Sequence, residues 1–501
     1  MPVARLVSAA LRGLDAEVVA LEVDLSRGLP GWSMVGLPDA AVRESRDRVR
    51  AALLNSGFDF PLNYITVNLA PADIRKDGAY FDLPVAIGIL LASNQLKVED
   101  KSLPFLLGEM ALDGRLNRVR GILPLVQFAQ REGFSAVIVP SENADEAAQV
   151  EDINVFSAAS LLDVHQHLAA SNLMQPHCVQ SLPQLATTGP DMMDVRGQAN
   201  ARRAMEIAAA GAHHLLMSGS PGVGKSMLAA RMPSILPVLS KRDRLDVARI
   251  YSVAAEPRSP LLHTPPFRAP HHSASDVALI GGGSIPRPGE VSKAHCGVLF
   301  LDELPEYKRQ VLEVLRQPLE TGEVCIARAA DTLTFPARFQ LIAAMNPCPC
   351  GYLGHPTRCC RCSDVQVRRY QSRISGPLLD RFDLRIDMPP VEQSALLNME
   401  AGESSASIAL RVKACRARQL ERQGVCNAAL TPSLLEKHGT PDAAGLKLLQ
   451  QALQHFDLSA RSYHRLLKVA LTIADLQQVL VQKSHIAEAL QYRGQQLDGS
   501  H

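Results

Sequence analysis

The sequence lacks several features that would each mark a particular class of protein. No run of about 18 apolar residues occurs, so no membrane-spanning helix is expected. Formal net charge is only +1, with 52 basic against 51 acidic side chains. That excludes a globally basic polyanion binder and leaves room only for a local patch. Aromatic residues make up 4%, too few for base stacking to be the main mode of nucleic-acid contact. The N-terminal stretch MPVARLVSAALRGLDAEVVALEV has neither an unbroken apolar core nor a small-residue cleavage site, so no export signal is expected. The ten cysteines are then expected to be reduced thiols, and five of them fall between Cys348 and Cys362, which suits a metal better than disulfides. These features predict a soluble cytoplasmic protein of about two to four globular domains.

What is present begins with GSPGVGKS at 219–226, which fits G-x-x-x-x-G-K-[ST]. An apolar run at 213–218 reads as a strand before it, and 227–231 reads as a helix after it. Gly219, Ser220, Pro221, Gly222, Val223 and Gly224 form a turn whose backbone N–H groups can approach phosphate oxygens closely. Lys225 is the candidate for the β- and γ-phosphates of ATP, and the Ser226 hydroxyl for Mg²⁺. The apolar run GVLFL at 297–301 ends in Asp302 and Glu303, suited to holding Mg²⁺ and polarising a water respectively. A chance glycine turn and a core strand with an acidic helix cap are the rival readings, and the pairing of the two motifs weighs against both. A second apolar strand, FQLIAAM at 339–345, ends in Asn346, which can orient the lytic water or sense the γ-phosphate. The segment SGPLLDRFD at 375–383 carries Arg381, a candidate arginine finger acting across a subunit interface, with a surface ion pair as the alternative.

Cys348, Cys350, Cys360 and Cys362 form a C-x-C…C-x-C set that fits a structural Zn²⁺ site. Cys359 competes with Cys360 for one position, His355 is an outside candidate, and reduced buried thiols or a redox pair are the other readings. Residues 323–328 and 332–335 read as a β-hairpin with Arg328 near its tip, either a phosphate contact or a solvated turn residue. Arg361, Arg368 and Arg369 lie in an arginine-rich tract that also holds Arg358, Arg373, Arg381 and Arg385. Arg411, Lys413, Arg416, Arg418 and Arg422 follow further on. This is the local basic patch that the composition leaves room for, against a reading as solvated, ion-paired helix faces.

The order of phosphate loop, Asp-Glu strand, Asn strand and Leu-Asp-Arg-Phe segment resembles an AAA+ ATPase. RAPHHSASDVALIGGGSIPRPGEVSKAHCGVLFLDELPEY (268–307) and AAMNPCPCGYLGHPTRCCRC (343–362) resemble its magnesium-chelatase-like branch, specifically the ComM/YifB competence-protein family. The likeness runs over nearly the whole chain. It implies an α/β class built on a P-loop AAA+ module, a parallel sheet flanked by helices, at 191–392. An α+β Lon-protease-like domain at 1–170, a linker at 171–190 and a helical lid at 393–501 complete the expected organisation. It further implies a homo-oligomeric ring, expected to be a hexamer, that acts on single-stranded and branched DNA beside recombination proteins. The hairpin would point into the ring's pore, and Arg461 would reach the γ-phosphate from the lid. Val195 and Gln198 sit in a turn that in such modules lies against the adenine, although a plain domain-entry turn is an equal reading. In the Lon-like stretch, Tyr80 stands where the nucleophilic serine belongs and Pro124 where the lysine base belongs, so that domain is expected to be proteolytically inactive.

Overall fold

The computed structural model describes residues 3–98, 103–178, 189–256, 263–283, 286–327, 332–390, 402–455 and 459–493. The chain divides into two units, Met1–Pro183 with Arg244–Leu262, and Gln184–Asp243 with His263–His501.

In the first unit, β1 (Ala4–Arg12) and β2 (Asp15–Ser26) form an antiparallel hairpin in which Leu6 faces Leu21. β3 (Gly31–Val35) runs parallel to β4 (Tyr64–Ala70), which is antiparallel to β2, giving the order β1-β2-β4-β3. Strand periodicity puts Val19, Leu21, Val23 and Leu25 of β2 on the buried face. The helix Asp82–Ala92 (DLPVAIGILLA) is almost wholly buried against this sheet. Gly88 permits its approach, since a Cβ there would lie 2.7 Å from Val23 Cγ2. A second, parallel sheet is built from β5 (Phe105–Leu106), β6 (Ala136–Pro140) and β7 (Asn154–Ala158).

Two features of this unit differ from a simple reading of the chain. The helix Lys241–Ala254 lies beyond the glycine loop in sequence, yet from Arg244 onward it belongs here. The Ser252 carbonyl accepts from Gly121 N–H at 3.0 Å, and Arg249 reaches Leu14 O and Asp15 Oδ1 at 2.7 Å each. The expected uninterrupted division at 170, 190 and 392 therefore has this segment as an exception. Tyr80 is 1% exposed, its hydroxyl accepts the Leu11 N–H at 3.2 Å, and burial raises its pKa far above that of a free phenol. Pro124 is buried in the helix Ile122–Arg131. Neither offers a nucleophile or a base.

The second unit is organised by a parallel sheet. Its strands are β8 (Leu215–Gly219), β9 (Phe267–Arg268), β10 (Val298–Leu301), β13 (Gln340–Met345) and β14 (Leu384–Met388), in the order β9-β10-β13-β8-β14. β10 and β13 are buried at every position, as expected of parallel strands covered on both faces. The hairpin is formed by β11 (Glu323–Ala327) and β12 (Thr332–Pro336), with Ala327 opposite Thr332; Arg328 lies outside the described residues.

Among the described residues, five helices form the C-terminal part: Ser405–Gln423, Pro432–His438, Ala443–His455, Ala460–Gln477 and Lys483–Gln491. They are fastened to the helix Ala199–Gly211 by charged and amide side chains. Arg411 Nε donates to Glu206 Oε1 at 2.6 Å, Arg416 Nε to Ala209 O at 2.8 Å, and Gln419 to Ala210 O at 3.2 Å. Arg422 is bidentate on Asp475, and Arg418 donates to the Asp475 carbonyl. Of the basic residues expected to extend a patch here, Arg411, Arg416, Arg418 and Arg422 are thus engaged within the fold. Buried His213, just before β8, bonds Asp383 Oδ2 at 3.2 Å through Nδ1 and Thr472 Oγ1 at 2.8 Å through Nε2.

One prediction concerns the first unit's core. Asp82 is fully buried, and Arg48 grips it with bonds of 2.7 and 3.0 Å. Burial still raises its pKa to about 6, against the pull of Arg48. A carboxylate raised in the folded state favours folding when protonated, so its stabilising effect is full below the ordinary pKa of 3.8 and is lost as pH rises through about 6. Arg48→Ala should destabilise the unit by about 3–5 kcal/mol at neutral pH by leaving the carboxylate unpaired. The loss should shrink near pH 5. Urea unfolding followed by the fluorescence of Trp32, the one tryptophan of the chain, measures both.

Candidate nucleotide site and thiol cluster

Because neighbouring strands of the second unit's five-stranded sheet all run the same way, the loops that leave their C-terminal ends gather at one rim. β8 delivers the glycine loop, β10 delivers Asp302 and Glu303, and β13 between them delivers Asn346. Gly222 and Gly224 hold φ of +82° and +93°, conformations that side chains resist. Lys225 Nζ folds back to donate to Gly219 O at 2.5 Å, Ser220 O at 3.0 Å and Asn346 Oδ1 at 3.1 Å. Burial lowers its pKa, and the carboxylates of Asp302 and Glu303 oppose that shift. Ser226 Oγ donates to Asp302 Oδ2 at 2.5 Å, so the two oxygens proposed for Mg²⁺ already face each other. They and the glycine loop suit a triphosphate with its metal: backbone donors, one ammonium, and a hydroxyl beside a carboxylate.

A cavity of about 1170 Å³ opens over this rim. Pro221, Gly222, Val223, Gly224, Lys225, Ser226, Asp302, Glu303 and Asn346 line it, together with Val195 and Gln198. Gly219 and Ser220 contribute their carbonyls to Lys225 from beneath. Gln198 has φ +52°, caps the helix Ala199–Gly211 and donates to Pro389 O at 2.7 Å.

Several lining residues were not expected. Asp194, Arg196, Met388 and Pro390 border the cavity, as do Tyr352, His355, Thr357 and Arg358. His272 Nδ1 lies 3.3 Å from Glu303 Oε2, which makes it a positioning group for that carboxylate. The His-His pair at 271–272 follows β9, so its nearness to β10 was readable only once those strands were known to be neighbours.

Arg381 and Arg461 do not line the cavity of their own chain. Both converge on Glu320: Arg381 pairs with its Oε1 directly, and Arg461 Nη2 lies 3.6 Å from the same oxygen. Arg381 is 10% exposed, and its Nε is buried without a hydrogen-bond partner among the described residues. Arg465, one turn from Arg461, is instead half-buried against Asp383 at 3.8 Å.

The arginine tract separates by environment. Arg373 bonds Glu306 at 2.8 Å and Arg385 bonds Leu379 O at 2.6 Å. Arg361 and, on the helix Asp364–Gln371, Arg368 and Arg369 are exposed, while Val367 and Tyr370 of that helix point inward.

Cys348, Cys350, Cys360 and Cys362 bring their sulfurs within 4.8 Å of one another. Three of the separations are 3.4, 3.5 and 3.6 Å. A tetrahedral zinc with Zn–S of about 2.3 Å needs sulfurs about 3.8 Å apart, and disulfides need far less, so the set fits a metal. Backbone N–H groups of Arg361 and Tyr352 point at Cys350 and lower its pKa, whereas the neighbouring thiols raise that of Cys360. Cys359 is exposed and outside the cluster, and His355 Nδ1 accepts from the Thr357 and Arg358 N–H groups. Of the two neighbouring cysteines, it is Cys360 whose sulfur joins the cluster.

Comparison with known proteins matches these parts in sequence. Residues 191–396 match the family described as "Magnesium chelatase, subunit ChlI", 21–143 match "Subunit ChlI of Mg-chelatase", and 402–493 match "Magnesium chelatase, subunit ChlI C-terminal". The chain is 46% identical to Competence protein ComM of Haemophilus influenzae over 98% of each chain. It is 44% identical to the uncharacterized protein YifB of Salmonella typhimurium, covering 96% of this chain and 95% of that one. A shorter likeness, 25% over 170 residues, links it to Lon protease of Mycolicibacterium smegmatis, covering 32% of this chain and 22% of that protein. Fold and site define an AAA+ module of the magnesium-chelatase type. Within that class the chain belongs to the ComM/YifB family.

The thiol cluster is open to direct measurement. Metal analysis of the purified protein should find about one zinc per chain in wild type and in Cys359→Ser, and well below that in Cys360→Ser.

Proposed function

We propose that the chain is a Mg²⁺-dependent ATPase that works as a ring of identical copies, a hexamer, and converts hydrolysis into movement along DNA. The observation that carries this is the division of one catalytic set. Lys225, Ser226, Asp302, Glu303 and Asn346 stand together at the rim, whereas Arg381 and Arg461 are gathered on Glu320 outside that cavity. A pocket without its arginines calls for a neighbour that supplies them, and repeated heterologous contacts of this kind close into rings.

In this reading Ser226 and Asp302 would hold Mg²⁺, which when bound would supply positive charge to the phosphates. Lys225 exchanges the Gly219 and Ser220 carbonyls for phosphate oxygens. Glu303, steadied by His272, takes up the proton of the attacking water, and Asn346 orients that water. Exposed Arg361, Arg368 and Arg369 would contact DNA phosphates, and the β11–β12 hairpin would point into the pore. The name of the Haemophilus relative, a competence protein, favours DNA as the track, and the task proposed on it is branch migration during uptake of transforming DNA. A magnesium-chelatase subunit is the second reading, favoured by the names of the matching families. Metal insertion gives no account of the four-thiol loop. Among the described residues no helix is long and apolar enough to cross a membrane; action in the cytoplasm beside recombination proteins accords with that.

ATPase turnover measured with and without single-stranded and branched DNA tests the proposal. DNA should stimulate wild type, and Lys225→Ala should lose about a hundredfold or more. Arg381→Ala should lose about a thousandfold while still binding ATP. Mixing Arg381→Ala with Lys225→Ala should restore part of the activity, because an intact pocket then meets an intact arginine at some interfaces. Absence of DNA binding and stimulation would sink the motor reading, and failure of the mixture to recover would sink the shared site.

A further inference from the structure

Nine residues, 351–359, run between Cys348–Cys350 and Cys360–Cys362, and the first eight return to the rim of the sheet. Gly351, at φ +80°, sits against the glycine loop itself. A Cβ there would lie 2.5 Å from Pro221 Cδ and 3.8 Å from Asn346 Cγ. Beyond it, Tyr352, His355, Thr357 and Arg358 border the same cavity as Lys225, Asp302 and Asn346. Arg358 is held in place by local contacts. Its guanidinium lies 5.1 Å from the centre of the Tyr352 ring, and its Nη1 donates to the Tyr352 hydroxyl at 2.8 Å. The Arg358 and Thr357 N–H groups both donate to His355 Nδ1, at 3.1 and 3.2 Å, closing the turn. The start of the segment is anchored: Cys348 is buried two residues after Asn346, and Gln371 donates to Pro347 O at 3.0 Å.

We propose that this segment is a working wall of the nucleotide pocket, in which Arg358 supplies a second cation to the polyphosphate of a bound nucleoside triphosphate. The metal-loaded thiols hold that wall against the glycine loop. The proposal rests on the reading of the cavity as an ATP site and adds a binding residue and a control to it. A guanidinium is suited to the task, since it presents several N–H donors to phosphate oxygens and keeps its charge throughout the physiological range. Eight residues with five hydrogen-bonding side chains or backbone groups turned on each other have no apolar core of their own. Four metal–thiolate bonds at the base would add to these local contacts in fixing their shape. Loss of the metal is expected to act on nucleotide affinity, at a distance of only a few residues from Asn346.

Titration of the full-length protein with a fluorescent ATP analogue tests this, alongside zinc analysis of each variant. Arg358→Ala should keep its zinc and bind the analogue about tenfold or more weakly. Arg358→Lys should recover part of the loss. Cys360→Ser should lose zinc and weaken binding at least as much as Arg358→Ala, and removal of zinc from wild type by a chelator should reproduce that effect. Wild-type affinity in Arg358→Ala, with affinity lost in Lys225→Ala, would overturn the proposal and leave the ATP site standing. Wild-type affinity in Lys225→Ala as well would overturn the ATP site and this proposal with it.

Discussion

Five strands running in one direction are the constraint from which the second unit's chemistry follows. A parallel sheet sends every strand's C-terminal loop to the same edge, so groups far apart in sequence meet without any loop having to reach. β13 lies between the strand of the glycine loop and the strand of the acids. That spacing sets Asn346 beside Lys225 and leaves room for Asp302 to meet Ser226. The sheet also orders its supports: Gln340 at the start of β13 bonds the Ala208 and His213 carbonyls, tying the strand to the helix and turn that precede β8. Buried His213 carries the connection on to Asp383 and Thr472, so the arginine-bearing segment and the C-terminal helices are fixed to the base of the strand that leads into the glycine loop.

How much of this could be read from the residues depended on how local the chemistry is. The glycine loop was legible because close approach of backbone to phosphate demands glycine at fixed spacing, and strand and helix flank it immediately. Asp302, Glu303 and Asn346 were legible because each ends an unbroken apolar run, which in a parallel sheet means the functional rim. The four cysteines were legible as a set, but spacing left Cys359 and Cys360 equivalent, and only three-dimensional placement separates them. The arginine tract was legible as charge but not as surface. Arg373, Arg385, Arg411, Arg416, Arg418 and Arg422 have the same composition signature as Arg361, Arg368 and Arg369, and differ in having acceptors within the fold, for all but Arg385 supplied from remote parts of the chain. Tyr352 and Arg358 were missed for the same reason, since they approach Lys225 through folding of a loop and not through any pattern.

The N-terminal unit illustrates the converse. Alternation in β2 and the continuous apolar face of Asp82–Ala92 announced its sheet and helix. Its dependence on residues 244–254 was invisible, because those residues follow the glycine loop in sequence and carry no motif that ties them to the first unit. Ser252 and Arg249 contribute hydrogen bonds to Gly121 and Leu14, which makes a segment of later sequence part of an earlier fold. Tyr80, resembling a displaced nucleophile in sequence, is a core residue whose hydroxyl is occupied by a backbone donor.

Glu320 gives the pair Arg381 and Arg461 a shared resting place outside the cavity of their own chain. The consequence is one of counting. Complete sites would be numbered by the contacts between copies and not by the copies: a single chain has none, an open row of copies has one fewer than its length, and only a closed ring has as many as it has members. Closure would then add the last site all at once, and with it the only arrangement in which every bound nucleotide can be hydrolysed.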